Sequence, residues 1–281
     1  MHLLLGGVRG GSPIADTAYS RFGGDTTSLL VTGVCGSHVV VDGGTGLRVV
    51  SNRLSSEREN RSLLMLFTHF HHDHINGLPG FKQMYDPLWQ LEFSSRSLGG
   101  HTIRGVFDML VAPPVWPLSI NDLPASTTFS VLDDQRMNSP KKFGGLHIRW
   151  CPVHHPGGST AFRIDEPSSG SSVVIATDIE WAESTGGEKR MLESLCRTPS
   201  EPDILVFDGK YSRENYESCR GWGHSTWEEG VEIARSSGAR RLLITHHSSE
   251  YDDDKLDRMD ERVRKTWRNA GLARQGEIID L

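Results

Sequence analysis

No two of the four cysteines (Cys35, Cys151, Cys196 and Cys219) form a CxxC pair, which argues against a disulfide framework or a cysteine-based zinc knuckle. No apolar run approaches the 18 residues of a membrane-spanning helix, and the opening MHLLLGGVRGGSP has no basic stretch ahead of its short apolar run. Neither a membrane span nor a signal peptide is expected, and a cytoplasmic protein follows. Basic charge is in no excess: the formal net charge is −6, and Lys and Arg are dispersed apart from a modest cluster, RSSGARR, at 235–241. Long nucleic acid is therefore not an expected partner. No internal sequence repeat is visible.

What is present suits a sizeable core. A chain of 281 residues with 36% hydrophobic content is long enough for one large α/β domain. Apolar runs of strand length occur at 28–34, 38–44, 62–68, 146–153, 160–164, 172–178, 204–208 and 241–247. Helical spacing marks 46–54, 188–197, 225–237 and 253–269. Residues 82–145 are less regular and read as an insertion over the site within a single domain spanning 1–281, with strands expected at 102–106 and 127–131. Five of the apolar runs share one feature: each ends at a group that binds metal or carries protons. SLLMLFT leads to His69, LHIRWCPV to His154 and His155, SVVIAT to Asp178, ILVF to Asp208, and RLLIT to His246. Active sites of α/β folds collect at such strand ends, so these groups are expected to converge.

The densest of these points is THFHHDHINGLPGF at 68–81, which places His69, His71, His72, Asp73 and His74 within six positions of a chain holding 13 histidines. So many ionisable groups beside a buried strand would be costly without a cation to neutralise them. In an extended or turning segment His69 and His71 face the same way, while Asp73 and His74 follow after the chain turns. One short loop can thus offer two ligands to each of two ions, and zinc, manganese and iron all accept imidazole nitrogen with carboxylate oxygen. His72 alternates to the opposite face from His71 and is expected to be a bystander.

These residues resemble the metallo-β-lactamase superfamily, whose HxHxDH signature is matched by His69, His71, Asp73 and His74. The resemblance runs the length of the chain and implies a four-layer αββα sandwich, two mixed sheets facing each other with helices outside, holding two divalent metal ions. It implies further that His155, directly before Pro-Gly-Gly, completes the first site, that Asp178 bridges both ions, and that His246 completes the second. Asp73 counts with the catalytic groups as well as the ligands. The doublets leave His154 and His247 as alternatives to their neighbours. Asp42 resembles the family's buried aspartate that orients the ligand loop.

Two cations about 3.5–4 Å apart can share a water and bring its pKa towards neutrality, which predicts hydrolysis. His224-Ser225-Thr226 stands where a helix should begin, and on local sequence alone it reads equally as a cap. It also resembles the HST motif of the phosphodiesterase branch, which includes ribonuclease Z and small cyclic-phosphate hydrolases. There the histidine contacts the phosphate and protonates the leaving oxygen. Asp208 matches the acidic partner of that histidine and is expected to raise its pKa.

Only 45 residues separate Asp178 from His224, leaving no room for the long arm with which ribonuclease Z holds transfer RNA. GVRGGSPIAD (7–16), FGGDTTSLLV (22–31), HPGG and RGWGHST resemble a bacterial group of small metal-dependent hydrolases, from which the chain departs at Gly11 and Asp25. The expected substrate is a small phosphodiester, a cyclic nucleotide or ribosyl phosphate among the candidates, and the resemblance also suggests a homodimer. The competing readings are a lactonase or other carbonyl-ester hydrolase on the same metal pair, and a noncatalytic binding protein that retains the fold. Redox chemistry of the flavodiiron kind is disfavoured, since that branch has glutamate where His71 stands.

Overall fold

The computed structural model describes residues 1–137 and 139–281. In chain order the first half comprises β1 (His2–Gly7), β2 (Arg9–Gly10), β3 (Ser28–Thr32), β4 (His38–Val41), α1 (Leu47–Leu54), β5 (Ser62–Phe67), β6 (Gln90–Ser95), α2 (Ile103–Leu110) and β7 (Ser126–Val131). The second half follows with β8 (Lys141–Phe143), β9 (Leu146–Val153), β10 (Ser159–Glu166), β11 (Ser171–Ala176), α3 (Gly186–Arg197), β12 (Ile204–Asp208), α4 (Arg213–Tyr216), α5 (Trp227–Ser237), β13 (Arg241–Thr245), β14 (His247–Ser248), α6 (Asp253–Thr266), β15 (Ala270–Leu272) and β16 (Ile278–Asp280). No helix among the described residues is long and apolar enough to cross a membrane.

Two seven-stranded sheets result, ordered β16-β1-β3-β4-β5-β6-β7 and β15-β13-β12-β11-β10-β9-β8. Each is mixed in the same manner. In the first, β16, β1, β3 and β4 pair antiparallel, and β4, β5, β6 and β7 pair parallel. In the second, β8 to β11 pair antiparallel, and β11, β12, β13 and β15 pair parallel. The architecture repeats although the sequence does not.

Side-chain alternation assigns the layers. In β5, Leu64 and Leu66 point between the sheets, where they join Val39, Val41, Ile148, Phe162, Ile175 and Val206. Leu63, Met65 and Phe67 point outward, under Leu47 and Val50 of α1 and Ile103 and Phe107 of α2. The outer face of the second sheet, with Val174, Leu205 and Leu242, is covered by Leu192 of α3, Val231 of α5 and Leu256 of α6. A strand buried on both faces reads as a continuous apolar run, which is why β5, β12 and β13 stand out in the sequence. This is the four-layer αββα sandwich expected.

Local expectations fare unevenly. The strand expected at 102–106 is instead the start of α2: Thr102 caps it by accepting from the Gly105 amide, and Ile103, Val106 and Phe107 are buried on one helical face. Within 82–145 the structure has two strands of the first sheet, β6 and β7, of which β7 matches the expectation at 127–131. Strand β1 and the short β15 and β16 carried too little pattern to be foreseen.

Candidate metal centre

The strand ends do converge. β5 runs out at Phe67 and hands the chain to His69, after which a 3-10 turn spans His72–His74. β9 delivers His155, β11 Asp178, β12 Asp208 and β13 His246, so the two sheets present their groups to one another across the top of the sandwich. Three non-glycine residues among those described have positive φ: Asp42 at 63°, Asp178 at 55° and His246 at 62°. All three lie in this cluster, and such strain persists only where surroundings impose it, typically at functional sites.

Donor atoms of His69, His71 and His155 form one group within 4.8 Å of one another, those of Asp73, His74 and His246 a second, and those of His69, His74 and Asp178 a third that joins them. His155 Nε2 lies 3.1 Å from His71 Nδ1, and His74 Nε2 lies 3.4 Å from His246 Nε2. Imidazole nitrogens sharing a tetrahedral zinc ion with bonds of about 2.0–2.1 Å would sit roughly 3.3 Å apart. Asp178 reaches both groups. Its Oδ1 is 3.8 Å from His69 Nε2, 3.9 Å from His155 Nε2 and 3.2 Å from His246 Nε2, and its Oδ2 is 3.1 Å from His74 Nε2. His69 Nε2 is buried without a hydrogen-bond partner, an arrangement a cation would satisfy. The donor set therefore fits two divalent ions.

The electrostatics point the same way. Burial, with His74 next, holds His69 well below the usual histidine value, so it is neutral as a ligand must be. Against a burial penalty, Asp178, Asp42 and Asp73 lift His74 well above its ordinary value. Where the carboxylates crowd, the fold demands positive charge.

A layer of supporting contacts fixes the rings. Asp42 Oδ2 accepts from His74 Nδ1 at 2.8 Å and from the Thr68 hydroxyl at 2.8 Å, while its Oδ1 accepts from the Thr68 amide at 2.8 Å. His155 Nδ1 donates to the Gly223 carbonyl at 2.7 Å, and Gly223 is held in turn by buried Glu180, which accepts from the amides of Gly221 (2.6 Å) and Gly223 (2.8 Å) and from the Tyr216 hydroxyl (2.7 Å). The N-terminal glycines serve close approach. A Cβ on Gly10 would fall 2.1 Å from the His246 ring, and the Gly11 amide donates to Asp73 Oδ2 at 2.6 Å.

The doublets separate cleanly. His154 is 40% exposed and lies 3.8 Å from Glu188, whereas His155 faces the cluster. His247 is buried, but its Nε2 donates to the Ala273 carbonyl at 2.8 Å. His72 is exposed. Trp222, beside Gly223, is 63% exposed.

Beside the cluster, His224 Nδ1 lies 2.7 Å from Asp208 Oδ2, and the His224 ring stacks on His246 with centroids 4.7 Å apart. Ser225 and Thr226 fix the position: Ser225 Oγ donates to the Ile179 carbonyl at 2.5 Å, and Thr226 forms a capping box with Glu229 at the start of α5. The dyad is present, yet its electrostatics differ from the expectation that the carboxylate would raise the imidazole. Burial dominates, pushing His224 down to about 4 and Asp208 up to about 7. Reading the sequence also missed Lys210, whose ammonium lies 3.1 Å from His224 Nε2. An ammonium can only donate, so Nε2 accepts and Nδ1–H points to Asp208. Its signal was available in FDGKY, two residues beyond Asp208.

Residues 37–247 match the profile of the Beta-lactamase superfamily domain. Ribonuclease BN of Cronobacter sakazakii is 24% identical over 245 residues, covering 69% of this chain and 74% of that protein. Among solved structures, the short form of human tRNase Z superposes with a TM-score of 0.68 at 16% identity, covering 100% of this chain and 99% of that one. A diphosphatase from the PhnP family gives 0.69 at 17% identity, covering 100% and 97%. The chain belongs to the metallo-β-lactamase superfamily.

Proposed function

We propose that the protein is a metal-dependent phosphodiesterase acting on a small phosphodiester, cyclic nucleotides and ribosyl phosphates included. The observation that carries this reading is the Asp208–His224 pair, 2.7 Å apart and stacked against the His/Asp cluster. The His224-Ser225-Thr226 stretch resembles the HST motif of the phosphodiesterase branch, in which the histidine protonates the leaving oxygen, and the pair stands where it can serve that step. The relatives named ribonuclease BN and tRNase Z support the phosphodiester class, and the PhnP-family diphosphatase supports small substrates.

His69, His71 and His155 would hold one ion, Asp73, His74 and His246 the other, and Asp178 both. Two divalent ions, zinc or manganese foremost and iron as a further option, supply an activated water and neutralise the phosphate oxygens when bound. The remaining work falls to the chain. Asp42 and the Gly223 carbonyl orient His74 and His155, and Asp208 fixes the His224 ring through Nδ1, so that Nε2, which accepts from Lys210 in this structure, gives up that contact and turns to the departing oxygen once it is protonated. The entering phosphodiester brings opposite charge to His224 and raises its proton affinity, so that it delivers a proton as the P–O bond breaks. The 45 residues between Asp178 and His224 are occupied by α3, β12, α4 and their loops, which favours a small substrate over transfer RNA.

With zinc or manganese, turnover of bis(p-nitrophenyl) phosphate is expected, and His224→Ala should lower kcat by about 10²–10⁴-fold while retaining two ions per chain. Equal activity in that variant would refute the acid role. Preferential turnover of lactones would favour the carbonyl-hydrolase reading.

A further inference from the structure

The cations around the site are, with one exception, already committed. Arg9 donates from Nε and Nη1 to the carbonyls of Gly23, Ser248 and Tyr251, and its Nη2 lies 4.0 Å from the Asp253 carboxylate. Arg48 pairs with Asp25, Arg96 with Asp134, and Arg220 with Glu183 and Glu217. Lys210 is different. Its ammonium has one hydrogen-bond partner among the described residues, His224 Nε2 at 3.1 Å, and no carboxylate at ion-pairing distance.

Three N–H groups with one acceptor leave two donors unspent on a half-buried side chain. The location makes this expensive. Asp42, Asp73, Asp178 and Asp208 together balance the charge of two divalent ions, so the ammonium beside His224 remains a positive charge that no carboxylate pairs with directly. Such a group is stabilised when an anion enters beside it. The metal pair already accounts for the anionic oxygens of the phosphate under attack, and Lys210 stands on the side of His224, where the leaving portion departs.

We propose that Lys210 is a specificity-determining residue that contacts a further acidic group on the leaving portion of the substrate, so that phosphodiesters whose departing portion itself carries a phosphate or carboxylate are preferred. This rests on the phosphodiesterase reading and narrows it. The reaction needs no other reactant. Water oxygen bonds to phosphorus and releases a proton, the P–O bond to the leaving portion breaks with its electron pair passing to the departing oxygen, and that oxygen takes the proton from His224, which is restored by the proton that the water gave up. Lys210 neutralises the second charge before and after cleavage.

Three substrates separate the possibilities: phenyl adenosine 5′-phosphate as the reference, its 4-carboxyphenyl counterpart, and P1,P2-di(adenosine-5′) diphosphate. The ratio of kcat/KM on a charged substrate to that on the reference should fall about 10- to 100-fold in Lys210→Met, the range of a charge-assisted hydrogen bond, and Lys210→Arg should keep most of it. A fall for one charged substrate alone supports the proposal and names the acidic group. A ratio constant within twofold for both overturns it.

Calorimetric titration of the metal-loaded protein with methylenebisphosphonate gives a readout independent of turnover. Affinity at least tenfold weaker in Lys210→Met, with two ions per chain retained, is expected; unchanged affinity sinks the proposal. Should wild type hydrolyse none of the three substrates, the phosphodiesterase reading falls, and the titration still decides the part played by Lys210.

Discussion

Histidine serves two purposes in this chain, and a single step along the backbone divides them. At 246–247 the residue with φ of 62° turns its ring to the cluster, and its neighbour resumes extended backbone as β14, with Nε2 donating to the Ala273 carbonyl. Burial pushes His247 down to about 3. Its unfolded value is near 6.5, so above that pH the ring is neutral in both states and contributes no pH dependence. As pH falls from about 6.5 towards 3, only the unfolded chain takes the proton, and stability is lost at roughly 1.4 kcal/mol per pH unit. Urea unfolding of metal-free protein at pH 7.5 and pH 5 should show a shallower loss in His247→Gln, whose side-chain amide can still donate to Ala273. The same slope as wild type would mean that His247 is not the buried neutral group described. The outcome at 246–247 was hidden from the sequence, because spacing does not encode where a strand end turns through positive φ. The HxHxDH residues were legible because their density has no inexpensive explanation other than a cation.

At the level of elements, the strands that carry the site were visible because each is an apolar run buried on both faces, with its polar residue just beyond. The connecting segments were not, since their roles depend on long-range contacts. Glu180 is the clearest case: a carboxylate two residues beyond Asp178, it clamps the Gly221–Gly223 loop that aligns His155 on one side and presents exposed Trp222 on the other. Removing it leaves two backbone amides and a tyrosine hydroxyl without their acceptor. Glu180→Ala should therefore weaken metal binding about 10- to 100-fold, the range for groups that orient ligands, as read by chelator competition. Helix α5, which has its own capping box at Thr226 and Glu229, should keep its circular dichroism. Wild-type metal affinity in this variant would remove Glu180 from the supporting layer.

For the whole molecule, the two seven-stranded sheets share one pairing scheme, and each gives part of the donor set: His69, His71, Asp73 and His74 from the first, His155, Asp178 and His246 from the second. That division was only half legible in sequence, since motifs revealed the donors but β1, β15 and β16 completed the sheets without a strong pattern of their own. It has a thermodynamic consequence. Ions held by both sheets would clamp the open end of the sandwich and bind the folded chain but not the unfolded one, stabilising it by about 2.7 kcal/mol when free metal is a hundredfold above its Kd. At roughly 2–4 °C per kcal/mol for a chain of somewhat smaller size, chelation should lower Tm by several degrees, and zinc should restore it in proportion to the logarithm of its concentration. Asp178→Ala removes the one carboxylate that reaches both groups, so it should lose most of that response and retain fewer than two ions per chain. His154→Ala, whose ring points to Glu188 and away from the cluster, should respond as wild type does. If Asp178→Ala kept the full metal-dependent rise in Tm, the ions would have to be held within one sheet's loop alone, and the shared centre inferred from these distances would be wrong.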